Sequence, residues 1–247
     1  MPISLPRWFA HRGGGTLAPE NTLAGIRLAA RLGFRAVEFD VMLSADGTPV
    51  LIHDETLERT TDGFGRVCDT PDHSLFLLDA GSGEHIPRFS DAAALCREYR
   101  LLANVEIKPA AGFERQTAET VARLAEASWQ GVEALPLISS FSLEALEIAR
   151  DLAPGIPRGV LYEHVPDDWL ATLRRLDAVT LHCSAMHLSD EVLAEARAND
   201  VPVLCYTVNG EKAAKSIFGR GVSAIFTDRL DLFATETSAY KGLHLVG

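Results

Sequence analysis

Short apolar runs alternate with helical stripes along almost the whole chain. β-Branched and apolar runs mark strands at 7–11, 36–43, 103–108, 136–140, 158–162, 178–182, 202–207 and 223–227. Between them, helical stretches fall at 20–32, 89–99, 113–127, 142–152, 167–176, 189–199 and 210–219. Within 142–152, for example, Leu143, Leu146, Ile148 and Ala149 recur at helical spacing. Pro202 and the Asp-Gly and Asn-Gly pairs punctuate the boundaries. Eight strands with helices between them, in 247 residues, predict an α/β fold: a (β/α)8 TIM barrel forming one domain over 1–247. An open doubly wound sheet is the alternative, but no Gly-x-Gly-x-x-Gly follows a strand.

One segment breaks the alternation. Ala36–Leu43 and Pro49–His53 flank Asp46-Gly47, a strong hairpin signal. With Asp46 and Gly47 as the loop, residue 43 faces 50 and Asp40 faces His53. An irregular stretch follows to about Phe89, and Phe64, Leu75, Phe76, Leu77 and Leu78 let it fold back over something. A connection that long in a compact domain is usually functional. The expectation is a small inserted cap over 54–89, with a plain surface excursion as the alternative.

Charges interrupt the apolar runs at their ends. His11-Arg12-Gly13 closes Trp8-Phe9-Ala10, and His53-Asp54 closes Val50-Leu51-Ile52. Glu38 and Asp40 alternate with Val37, Phe39 and Val41, while Glu106 and Lys108 straddle Ile107. Charge beside a core is expensive, and barrel active sites lie at the C-terminal strand ends. These positions are therefore expected to converge. Residues two apart on a strand share a face, so Glu38, Asp40 and Glu106 would repel one another unless a cation joined them. Oxygen-only ligands favour one divalent cation such as Mg²⁺ or Ca²⁺ over zinc.

Arg12 offers a fork for phosphate oxygens. With Lys108 and a divalent ion against three carboxylates, one phosphodiester brings the site to neutrality. Two histidines near such a centre can act as base and acid near neutral pH. Each residue alone has a plainer reading: Glu38 and Asp40 salt-bridged to arginines, Glu106 and Lys108 as a mutual pair, a histidine as a hydrogen-bonded structural residue. That plainer reading is kept for His73, His85, His164, His187 and His244, and His182 is read both ways, as pocket or as structure.

A formal charge of −11 argues against nucleic acid or an anionic membrane as partner. Hydrophobic residues make up 47% and mean hydropathy is +0.07, ample for a core, yet no apolar run is long enough for a bilayer. A first strand near Trp8 leaves no room for a cleaved leader before His11, so a cytoplasmic protein without membrane insertion is expected. Cys68, Cys96, Cys183 and Cys205 lack metal spacing and are read as buried, reduced thiols.

His11-Arg12-Gly13, Pro19-Glu20-Asn21-Thr22, Glu38-Phe39-Asp40-Val41, Asp46-Gly47, His53-Asp54 and Glu106-Ile107-Lys108-Pro109 together resemble the glycerophosphodiester phosphodiesterase family. Ser139-Ser140-Phe141, Tyr206-Thr207-Val208-Asn209 and Phe226-Thr227-Asp228 extend the resemblance over almost the whole chain. Leu57–Gly63 and the region from Trp129 are most similar to its short cytoplasmic bacterial members associated with glycerol-3-phosphate uptake. The resemblance implies hydrolysis of a glycerophosphodiester to sn-glycerol 3-phosphate and an alcohol, through a cyclic phosphate. It implies His11 and His53 as acid and base, Glu38, Asp40 and Glu106 as metal ligands, and Arg12 and Lys108 as phosphate contacts. Tyr206, where many relatives carry Trp, would line the substrate pocket. Glu20 either supports the site or serves a helix start. Apolar helix faces and the cap could support a homodimer. Competing expectations are a lipid-directed phospholipase on the same barrel and a non-catalytic phosphate- or polyol-binding module.

Overall fold

The computed structural model describes residues 4–132 and 134–234; His244 lies outside them. Eight parallel strands close into a barrel: β1 (Trp8–Ala10), β2 (Ala36–Leu43), β4 (Leu102–Ile107), β5 (Leu137–Ser140), β6 (Arg158–Tyr162), β7 (Thr180–Ser184), β8 (Val203–Tyr206) and β9 (Ala224–Thr227). The seam forms where β1 pairs with both β9 and β2, Phe9 lying opposite Phe226 and Ala36. The strand β3 (Pro49–Leu51) is antiparallel and pairs with the upper half of β2.

Around the barrel run α1 (Leu23–Arg31), α3 (Phe89–Tyr99), α4 (Glu114–Ser128), α5 (Leu143–Leu152), α6 (Trp169–Arg175), α7 (Asp190–Ala198) and α8 (Glu211–Gly219), with short α2 (Asp72–Leu75) and α9 (Leu230–Phe233). Their starts are local chemistry. Thr22, Ser142 and Ser189 each accept a backbone N–H from the first turn of α1, α5 and α7, caps worth about 1 kcal/mol apiece. None of the helices among the described residues is long and apolar enough to cross a membrane.

The strand period of two sorts side chains onto two surfaces. On β2, Val37, Phe39 and Val41 join Ala103, Val105 and Ile107 of β4 in the layer beneath the helices. The alternate positions point into the barrel. At its lower end Phe9, Ala36, Leu137, Leu204, Ala224 and Phe226 make a closed apolar floor. Above it the inward positions of β2, β4 and β7 include Glu38, Asp40, Asn104, Glu106 and His182, all buried.

The hairpin departs from expectation by one residue. Met42 lies opposite Val50 and Leu43 opposite Pro49, so Asp40 faces Ile52, whose N–H donates to the Asp40 carbonyl at 3.2 Å. The physical reason is the turn. Ser44 N–H donates to Thr48 O at 3.0 Å, leaving a three-residue loop in which Gly47 takes φ +80°. That left-handed residue closes a three-residue hairpin rather than an Asp-Gly two-residue one.

From Asp54 to Arg88 the chain makes a 3-10 turn at Val67–Asp69 and the short helix α2. Leu57, Val67, Leu75, Ala80 and Ile86 pack on Met42, Val50 and Ile52 as a separate apolar cluster. Asp72 fastens it to the hairpin tip by accepting from Ser44 Oγ and Thr48 Oγ1, each at 2.6 Å. All four cysteines are free and buried. Cys183 and Cys205 are neighbours on β7 and β8 with sulfurs 4.0 Å apart.

Candidate active site

β2 and β4 run in register, Asp40 beside Glu106 and Glu38 beside Asn104. This pairing, with the inward period, delivers Glu38, Asp40 and Glu106 to one point: a ligand oxygen from each lies within 4.8 Å of the others. Burial and the charge of Asp40 push the Glu38 carboxyl up to about 7, and burial with the same neighbour carries Glu106 well above the usual range. Burial also opposes ionisation of Asp40. There the ammonium of Lys108, with His53, Arg12 and a hydrogen bond from Asn21, wins and holds the carboxyl below its usual value. Lys108 Nζ is 3.2 Å from Asp40 Oδ1 and 3.8 Å from Glu106 Oε1. Glu106 Oε1 is buried without a hydrogen-bond partner. Three buried carboxylates that resist joint ionisation, one oxygen of them unbonded, fit a hard divalent cation.

The two histidines are built alike. His11 Nδ1 lies 2.6 Å from Asp228 Oδ1, across the seam between β1 and β9. His53 Nδ1 lies 2.5 Å from Asp54 Oδ1. In each, a carboxylate at Nδ1 places that proton there and leaves the lone pair on Nε2; His11 Nε2 is 3.8 Å from Glu38 Oε2. Their proton affinities move apart. Burial disfavours charge on His11, but the hydrogen bond to Asp228 and the charge of Glu38 leave its pKa above 6.5. For His53 burial wins over Asp40 and Asp54, and the pKa falls below 6.5.

Arg12 sits at φ 51°, its backbone N–H donating to Glu38 Oε2 at 2.9 Å. Its Nη1 donates to Glu20 Oε1 at 2.9 Å, while its Nε is buried without a partner, 3.9 Å from Asp40 Oδ2. Glu20 lies before α1, so its carboxylate serves arginines rather than the helix start. Arg59 reaches both of its oxygens, at 2.8 and 2.7 Å, and also donates to Asp54 Oδ2 at 2.5 Å. Arg59 thus joins the carboxylate that orients His53 to the one that holds Arg12. Asn21 donates to Asp40 Oδ2 at 2.9 Å and accepts from the Asp40 N–H at 3.1 Å.

A cavity of about 140 Å³ opens among these groups, lined by His11, Arg12, His53, Lys108 and the three acids, with Phe141, Tyr206 and Phe226 as aromatic wall. All eight site residues expected from the sequence are therefore brought together. The Tyr206 hydroxyl is engaged with the Tyr162 carbonyl at 2.9 Å, so its contribution to the cavity is the ring. His182 meets both of its readings. It is fully buried, accepts or donates at Thr180 Oγ1 over 2.9 Å, and lines the cavity, with burial driving its pKa to about 3.

Sequence reasoning assigned no role to Asp228, Asp54, Asn21, Asn104 or Arg59. A carboxylate just past an apolar run, as in Phe226-Thr227-Asp228, was the available signal for the first. Of the other histidines, His85 bonds the Leu78 carbonyl at 2.8 Å, as expected of a structural residue. His164 and His187 do not: both are exposed, with rings stacked 3.8 Å apart.

Comparison with known proteins places this architecture. The model of the Glycerophosphoryl diester phosphodiesterase family matches residues 11–232. A glycerophosphodiester phosphodiesterase of Caldanaerobacter subterraneus is 32% identical over 89% of this chain and 93% of its own. An Oleispira antarctica phosphodiesterase, solved in complex with its product sn-glycerol-3-phosphate, superposes with a TM-score of 0.90 at 36% identity, covering 94% and 97% of the two chains. An Agrobacterium tumefaciens glycerophosphodiester phosphodiesterase gives 0.79 at 28% identity, over 94% and 100%. The fold, the charged mouth of the barrel and these likenesses agree, and the chain belongs to the glycerophosphoryl diester phosphodiesterase family.

Proposed function

We propose that the chain hydrolyses glycerophosphodiesters to sn-glycerol 3-phosphate and an alcohol, with His11 and His53 as the proton-transfer pair. The observation that carries this reading is two carboxylate-anchored histidines lining the same cavity as three clustered acids and two cations. The relatives' names and the product bound to the Oleispira enzyme support it.

Arg12 and Lys108 bind the phosphate, Arg12 through the N–H that has no protein partner. Glu38, Asp40 and Glu106 would hold one Mg²⁺ or Ca²⁺, which when bound stabilises charge on the phosphoryl oxygens as a Lewis acid. One histidine takes the proton of the glycerol 2-hydroxyl, which attacks phosphorus; the other protonates the departing alkoxide. The resulting cyclic phosphate is opened by water with the two roles exchanged. Opposite pKa displacements let one histidine enter protonated and the other neutral near pH 7. The 54–89 segment acts as a cap on the His53 side of a single catalytic domain, and the enzyme works in the cytoplasm on small, water-soluble diesters.

A panel of glycerophosphodiesters, assayed for released glycerol 3-phosphate before and after exhaustive chelation, tests this. Chelation should abolish turnover and added Mg²⁺ or Ca²⁺ restore it. Full activity after chelation would overturn the metal site, and activity on lipid vesicles alone would overturn the substrate class.

A further inference from the structure

Away from that centre, the loops after β6 and β7 bring Glu163, His164 and His187 together on the surface, one ligand atom of each within 4.8 Å of the others. The two imidazoles stack with centroids 3.8 Å apart and planes 26° from parallel. Each imidazole carries a ring nitrogen able to ligate a divalent metal. Neither ring is bonded to another described side chain or carbonyl.

The backbone under the cluster is fixed from one side of the barrel. Tyr206 donates its hydroxyl to the Tyr162 carbonyl at 2.9 Å and accepts the Ala185 N–H on its own carbonyl at 2.8 Å. His187 N–H then closes a turn onto Ser184 O at 3.1 Å. Both loops are therefore anchored next to the residues that carry the ligands, while the exposed side chains stay free to turn.

The donor set differs in kind from the catalytic one. Two imidazole nitrogens and one carboxylate suit a zinc-class ion, whereas three carboxylates suit Mg²⁺ or Ca²⁺. We propose that Glu163, His164 and His187 form a second metal site, at the C-terminal face of the barrel, that takes a zinc-class divalent ion and leaves one coordination position open. Ligation by both imidazoles requires the rings to rotate out of this stack, so that one nitrogen of each faces the metal together with the Glu163 carboxylate. Occupation changes the local charge from negative to positive at the rim beside Tyr206, a wall of the catalytic cavity.

The full-length protein, kept in excess Mg²⁺, is titrated with Zn²⁺ by calorimetry, and the bound zinc is characterised by X-ray absorption. One zinc per chain in the micromolar range, with imidazole nitrogens in its shell, is expected. His187→Ala and Glu163→Gln should each weaken binding at least ~10-fold, while Glu38→Gln leaves it unchanged. Melting temperatures in the absence of zinc should be unaltered in the two rim variants, since these side chains are exposed. The site is refuted if no zinc binds, if binding persists in the His164→Ala/His187→Ala double variant, or if Glu38→Gln removes it.

Discussion

His11 and His53, the proposed proton-transfer pair, come from differently made halves of the site. His11 ends β1, and its anchor Asp228 comes from 217 residues away, joined to it only when the barrel closes. His53 follows the hairpin strand β3, and its anchor is the next residue in the chain. The His11 side chain is 17% exposed and that of His53 29%. One dyad is held by the barrel seam and the other by a loop that Arg59 ties down, so the two should answer differently to damage.

The largest difference should come from the anchors themselves. Asp228→Asn removes a carboxylate whose partners are His11 and Asn209. It should lower kcat roughly 10²-fold by releasing the Nδ1 proton that orients the ring. Asp54→Asn should cost only about 10-fold, because the Arg59 and Glu20 network still positions that loop. Equal losses in steady-state assays would erase the distinction between seam and loop.

Two glycines extend the contrast to stability. Gly15 has φ +55°, and a Cβ there would lie 2.2 Å from the Asp228 carbonyl, so Gly15→Ala should cost on the order of 3 kcal/mol and dislodge the His11 anchor. Gly47 has φ +80° but open surroundings, the nearest atom being 3.6 Å from an added Cβ. Gly47→Ala should therefore cost only about 1 kcal/mol and leave kcat unchanged. Denaturant unfolding and steady-state rates check both.

Between those two effects lies the metal. Glu38 and Glu106 have folded pKa values above their unfolded ones, Glu38 at about 7. The folded state therefore binds more protons, and without metal stability falls as pH rises from the ordinary carboxylate range through about 7. A saturating divalent ion should relieve this, raising Tm by roughly 5–10 °C at pH 8 and by much less at pH 5. A pH-independent increment measured by calorimetry would place the ion elsewhere.

Where strand periodicity governs, the sequence was legible. Glu38 and Asp40 had to share the face opposite Val37, Phe39 and Val41, and the barrel keeps them there. The hairpin was legible as a hairpin, though not in register, since Asp46-Gly47 fits more than one turn and only Ser44–Thr48 pairing decides. The pairing of His11 with Asp228 was invisible because no spacing encodes closure of a barrel. Arg59 was hidden for a similar reason: its partners Glu20 and Asp54 meet only once the 54–88 segment folds back over the hairpin.

The pairing of the two histidines is tested most directly by turnover of glycerophosphocholine, with Mg²⁺ present, by His11→Ala and His53→Ala side by side. Each should lose at least ~10²-fold in kcat while remaining folded and still gaining stability from the metal. Near-wild-type turnover in either variant would contradict the assignment of that histidine to proton transfer.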